Sequence, residues 1–176
     1  MVFPGFSLSE AGRLYVRSFE ERSRDLALDF AQCRALLVLA ENEGVTQQRL
    51  SELTAIASPW LVRILDRLEA IGLAERRPRL ADRRARSLAI TEDARAMLPL
   101  LWNIVGESLR EALRGLSRDE TAMLVRALDR VVVNLSSSIN HRGGRHPRDL
   151  PRKPIFPTPA AARTALARVG KIERRD

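Results

Sequence analysis

The chain has 176 residues, 45% of them apolar, and a formal net charge of +8. That is enough apolar content for one sizeable core, and the single cysteine, with no charged-then-apolar leader at the N-terminus, points to a reducing cytoplasm without disulfides. No apolar run reaches the ~20 residues a membrane helix needs, and no inward His or carboxylate cluster, nucleophile with a base, or glycine-rich phosphate loop is present; membrane, metal, cofactor and enzyme classes are therefore set aside.

Taken in order, Ser7-Leu8-Ser9-Glu10 has the capping-box pattern. Leu8, Ala11, Tyr15 and Phe19 follow at helical spacing, which predicts a first helix over residues 8–24. Asp29 opens a second, with Phe30, Cys33, Leu36, Leu37 and Ala40 inward and Gly44 near its end. Thr46 suits an N-cap, because its hydroxyl can accept from a free helix-start N–H, and Leu50 and Leu53 then share a face. After Ala55-Ile56-Ala57, Ser58 as cap and Pro59 as first helical residue restart a helix. Two starts a short turn apart make a helix-turn-helix, in itself a moderate signal because helical hairpins are common.

Rotation by about 100° per residue puts Leu61, Ile64, Leu65, Leu68 and Gly72 on one side of that last helix. Pro59, Val62, Arg63, Asp66 and Arg67 gather opposite, with Trp60 between the faces and expected to pack on the hairpin that follows or on a sugar-phosphate strand. The polar side suits a major groove, where an arginine forks onto guanine or a phosphate and Val62 or Pro59 touches a thymine methyl. Two strand-like runs come next, Leu73-Ala74-Glu75-Arg76 and Arg86-Ser87-Leu88-Ala89-Ile90. Arginines crowd the hairpin (Arg76, Arg77, Arg79, Arg83, Arg84, Arg86), which is unfavourable unless an anion neutralises them.

Thr91, followed by Glu92 and Asp93, caps a long helix carrying Met97, Leu101, Val105 and Leu109, kinked at Pro99 and ended by Gly115. Ser117 and Glu120 form another capping box, before Leu124, Leu128, Val131, Leu135 and Ile139. The two helices, roughly 35 Å each at ~1.5 Å per residue, exceed what the body beside them can cover. A second subunit or an intramolecular bundle with the first helix would bury their stripes. Residues 141–176 hold ten Lys or Arg against three acids, leaving +1 on residues 1–140. With Pro147, Pro151, Pro154, Pro157 and Pro159, this basic tail reads as disordered, and if it acts at all, as a non-specific arm for DNA.

The run Arg63-Ile64-Leu65-Asp66-Arg67-Leu68-Glu69-Ala70-Ile71-Gly72-Leu73, then Asp82-Arg83-Arg84 and Leu88-Ala89-Ile90-Thr91, resembles the winged helix-turn-helix signature of the MarR (multiple antibiotic resistance regulator) family. The likeness reaches upstream to Gln32 and Leu36 and covers roughly residues 8–140. It departs from the family at Pro59-Trp60, where small hydroxyl residues are commoner. The resemblance implies a mainly α fold: a DNA-reading lobe over about 30–91 with a two-stranded wing, and dimerisation helices over about 8–24 and 92–140. It further implies a homodimer on palindromic double-stranded DNA, repressing until a small-molecule effector or an oxidant relieves it. By residue match, Arg84 is the wing arginine of the minor groove and Asp82 the acid that braces the wing.

The expected DNA contacts are Thr46, Gln47 and Gln48 at one helix start, Ser58, Pro59, Trp60, Arg63 and Arg67 on the recognition helix, and Asp82, Arg83, Arg84 and Arg86 on the wing. A ligand cleft at the junction of lobe and dimerisation helices would draw on Tyr15, Phe19, Phe30, Arg34 and Trp102, although aromatics at helical spacing are more often core. Cys33 has two readings: a small buried hydrophobe, or an oxidant sensor if Arg34 turns toward its sulfur. Two alternatives stay open beside a ligand-relieved repressor: a protein-interaction scaffold without DNA binding, and a DNA-binding regulator that senses oxidants through Cys33.

Overall fold

A computed structural model describes residues 3–78 and 86–142. The elements are α1 (Pro4–Arg22), a short 3-10 turn (Arg24–Leu26), α2 (Phe30–Ala40), α3 (Gln47–Thr54), α4 (Ser58–Ala70), β1 (Ala74–Pro78), β2 (Arg86–Ile90), α5 (Glu92–Ala112) and α6 (Arg118–Arg142). The fold is mainly α with one two-stranded antiparallel sheet.

The first helix starts a turn earlier than Ser7 predicts. Pro4 sits in the opening turn after Phe3, where its missing N–H costs nothing, so the Ser7 pattern lies inside the helix and Glu10 pairs with Arg13 instead. Helix α2 begins as expected: Asp29 accepts from the Gln32 backbone at 2.7 Å and the Gln32 side chain returns to the Asp29 N–H. It is the hub of the lobe, touched by α1, α3, α4, α5 and β2. For that reason its apolar residues are not confined to one stripe. Ala35 and Leu39 are as fully buried as Cys33 and Leu36, while Phe30 and Ala40, expected inward, are only partly buried.

Thr46 caps α3 by accepting from the Arg49 N–H. The turn into α4 is held by two hydroxyls. Buried Thr54 donates to the Leu50 carbonyl at 2.7 Å and accepts from the Ile56 N–H, and Ser51 donates to the Ile56 carbonyl at 2.6 Å. Ala55 takes φ +50°, a left-handed conformation that a non-glycine residue adopts at some cost. The second start differs from expectation: Ala57 is the N-cap, Ser58 is already helical, and its hydroxyl makes no capping bond. Pro59, with no N–H to lose, still lies in the first turn. On α4, Leu61, Leu65 and Leu68 are buried. Gly72, which the rotation placed with them, lies beyond the helix end at φ +75°, exposed, where it turns the chain into β1.

The hairpin pairs Ala74 with Ile90, Arg76 with Leu88 and Pro78 with Arg86. Its base is buried through Ala74, Leu88, Ala89 and Ile90, so β2 does not alternate there; both its faces are covered. Gly44, expected as a helix end, instead donates its N–H to the Leu88 carbonyl at 2.8 Å, and Leu88 donates to Val45 at 2.9 Å. The 44–45 segment thus satisfies the outer edge of β2. Thr91 caps α5 at the Ala94 N–H, and the helix continues through Pro99, which faces solvent. Ser117 and Glu120 form the expected reciprocal cap of α6. Among the described residues no other element packs extensively along helix α6, and Met123, Val133 and Leu135 are exposed.

Candidate nucleic-acid interface

The helix-turn-helix presents α4 with its leucines in the core and its opposite side outward. Pro59, Trp60, Arg63 and Arg67 are exposed, and Val62 is half-buried. Among the described residues, neither Arg63 nor Arg67 has an acidic partner. The guanidinium carbon of Arg63 lies 5.4 Å from the centroid of the Trp60 ring, within reach of the attraction between a cation and an aromatic face. Trp60 is 64% exposed, with its indole on that arginine and open to solvent.

Asp66 departs from the predicted groove face. It accepts from Arg76 of β1 at 2.6 Å, and the same guanidinium also pairs with Glu69. Burial alone would lower the Arg76 pKa, but the two carboxylates outweigh it and the net shift is upward. Arg77 pairs with Glu75. Two arginines of the dense hairpin are therefore neutralised within the protein, and Arg76 acts as a strut from recognition helix to hairpin. Sequence reasoning missed it because Asp66, Glu69 and Arg76 meet only once the chain turns at Gly72. Arg86 is exposed at the open end of β2. Asp82, Arg83 and Arg84 lie outside the described residues.

At the start of α3, Gln48 is exposed and Gln47 half-buried, while the Thr46 hydroxyl is engaged in its cap. At the start of α4 the Trp60 and Leu61 N–H groups both donate to the Ala57 carbonyl and Pro59 has none, so that end offers a phosphate little backbone N–H.

The five residues named for a ligand cleft separate into different surroundings. Tyr15 and Phe19 both meet Phe30 edge-on, with centroids 6.0 and 5.1 Å apart, and Phe19 is 1% exposed. Such edge contacts hold a core together as readily as they line a site. A groove of about 620 Å³ lies between α1 and α5; Tyr15, Ser18, Arg22, Ser108 and Glu111 are among its lining, and Arg34 and Trp102 are not. Arg22 pairs with Glu111 across it. The Ser108 hydroxyl is buried without a hydrogen-bond partner among the described residues. Burial raises the Tyr15 pKa and lowers that of Arg34, in each case disfavouring the charged form.

Cys33 is fully buried, and burial first, with the charge of Asp29 second, pushes its thiol up to about 12. A neutral, enclosed thiol is a poor nucleophile toward oxidants. Among the described residues no three His, Cys, Asp or Glu side chains could hold a metal ion. No helix there is long and apolar enough to cross a membrane.

A helix-turn-helix whose second helix is strutted to an antiparallel hairpin defines a winged helix-turn-helix protein. A model of the MarR family matches residues 28–85, which take in α2, α3, α4 and β1. Over those residues the chain is similar to that family. Solved structures agree along most of the chain. A mutant MarR from E. coli, complexed with operator DNA, is 26% identical, covers 72% of this chain and 91% of its own, and has a TM-score of 0.68. A probable transcriptional regulator from Pseudomonas aeruginosa is 29% identical, with coverage of 73% and 96% and a TM-score of 0.68. BpsR from Bordetella bronchiseptica, whose DNA binding is regulated by 6-hydroxynicotinic acid, shares the fold at 24% identity, with coverage of 73% and 91% and a TM-score of 0.69.

Proposed function

We propose that the protein is a homodimeric repressor of transcription that reads a palindromic duplex DNA site and is released by a small ligand. The observation that carries DNA reading is the outward face of α4, where Arg63 and Arg67 stand exposed with no acidic partner among the described residues. In the major groove they would meet guanine edges and phosphates, with Thr46 to Gln48 and the Ser58 end supplying backbone contacts. Arg84 would enter the minor groove from the wing tip, flanked by Arg83 and Arg86 and braced by Asp82. The DNA-reading lobe would span about 30–91, and the dimerisation helices about 8–24 and 92–140.

The bare face of α6, together with exposed Phe3, Phe6 and Leu14 on and beside α1, supports dimerisation. A two-fold pair also sets two recognition helices about one duplex turn (~34 Å) apart. For the ligand, the support is the groove between α1 and α5, with a buried Ser108 hydroxyl that has no hydrogen-bond partner among the described residues.

The experiment is duplex binding measured against salt. The purified chain should bind a random duplex at low salt, with log affinity falling linearly in log salt. Arg84→Ala should flatten that slope by about one phosphate contact across sequences. Absence of salt-dependent duplex binding would favour a protein-interaction scaffold and refute the proposal.

A further inference from the structure

We propose that Trp60 and Arg63 read one base step as a unit: a pyrimidine carrying a C5 methyl group, followed on the same strand by guanine. The inference rests on α4 being the recognition helix and adds the chemistry that the helix selects. Trp60 lies in the first turn of α4 and Arg63 in the next, so their side chains leave neighbouring points on the outward face. At 64% exposure the indole is the largest bare apolar surface on that face, and it carries the Arg63 guanidinium at 5.4 Å. An arginine resting on an aromatic face loses less freedom when it binds, because its fork is already oriented.

The major groove offers one apolar group, the C5 methyl of thymine or of a methylated cytosine, and guanine offers the O6 and N7 pair that a guanidinium fork matches. The guanidinium and the indole lie 5.4 Å apart, which exceeds the ~3.4 Å rise between stacked bases of one strand by a lateral offset and is well short of two steps, ~6.8 Å. Val62 is half-buried and Pro59 small, so the indole is better placed than either to cover a methyl. The surroundings are basic, with Arg67 exposed further along the helix and Arg86 at the hairpin's open end, which favours a polyanion over a protein partner.

The test starts from half-sites selected by the full-length protein out of a random duplex library, with affinities measured by fluorescence anisotropy. Selected sites should contain the pyrimidine–guanine step. Replacing its thymine by deoxyuridine removes only the methyl and should weaken wild-type binding about fourfold, the equivalent of about 0.8 kcal/mol per buried methylene-sized group. Trp60→Ala should bind both duplexes alike, and Trp60→Phe should keep part of the discrimination. Substituting 7-deazaguanine should weaken the wild type but not Arg63→Ala. Cytosine against 5-methylcytosine at the same place then shows which methylated base is accepted. Equal affinity for thymine and deoxyuridine duplexes overturns this inference while DNA reading stands. Trp60→Ala with unchanged duplex affinity and discrimination overturns it in favour of a protein contact at the indole. Failure to bind any duplex overturns the DNA reading and this inference together.

Discussion

Cys33 shows how a residue's chemistry is fixed by its surroundings. Held fully buried among leucines, with Asp29 nearby, its thiol is pushed up to about 12, so at pH 8 the thiolate is on the order of one molecule in ten thousand. Iodoacetamide should therefore leave the native protein unmodified at pH 8 and alkylate it rapidly in denaturing urea, as followed by mass spectrometry. Hydrogen peroxide should leave duplex affinity unchanged; a loss restored by a reductant would revive oxidant sensing. The sequence already favoured the small buried hydrophobe, with oxidant sensing kept open only if Arg34 turned toward the sulfur. The full burial of Cys33 weighs further against sensing, and it comes from neighbours that are distant in the chain. Ser58 is a similar case at smaller scale. Serine before proline is a good start signal, yet Ala57 is the N-cap and Ser58 the first helical residue, with Pro59 still in the first turn, where its missing N–H breaks no intrahelical bond.

Among the elements, the junction of α4 and the hairpin governs how the interface is presented. Arg76 spans it by forking onto Asp66 and Glu69. Removing that strut should let the hairpin drift relative to α4 without opening the core. We expect Arg76→Ala to lower duplex affinity by about 1 kcal/mol, roughly fivefold, with the dimer intact and thermal melting nearly unchanged. Arg76→Lys should recover only part of the loss, since a single ammonium cannot reach both acids in fork geometry. An equal loss from both variants would mean that Arg76 touches DNA itself. By contrast Leu65, 1% exposed on the inner side of α4, should cost about 2–5 kcal/mol on conversion to Ala, read as a lowered denaturant midpoint. The inner face was legible in the sequence because helical rotation gathers leucines on one side. The strut was not, since pairing across a turn depends on the angle at which the hairpin leaves Gly72.

For the whole molecule, the bare α6 is the feature to explain. Its stripe from Leu124 through Leu128 and Val131 to Leu135 follows helical spacing, yet among the described residues no other element packs extensively along it. Leu135 is 55% exposed in the single chain, so a charge there stays in water and is not buried in its core. Leu135→Glu should give a folded monomer by sedimentation equilibrium, with unchanged circular dichroism. Its duplex affinity should also fall steeply, because two half-sites are then no longer held together. A dimer that survives this change would place the interface elsewhere.

The chain by itself determined the sequence of helices, the caps at Asp29, Thr46, Thr91 and Ser117, the leucine face of α4 and the paired runs of the hairpin. These follow from local rules: which side chain can reach the next free N–H, and which residues a period of 3.6 or 2 brings to one side. Only the tertiary structure decided that α2 is packed against α1, α3, α4, α5 and β2 at once, that Asp66 pairs with Arg76 of the hairpin, and that Gly44 completes the edge of β2. Each of those depends on the distance and angle between segments far apart in the chain, which local propensity leaves undetermined.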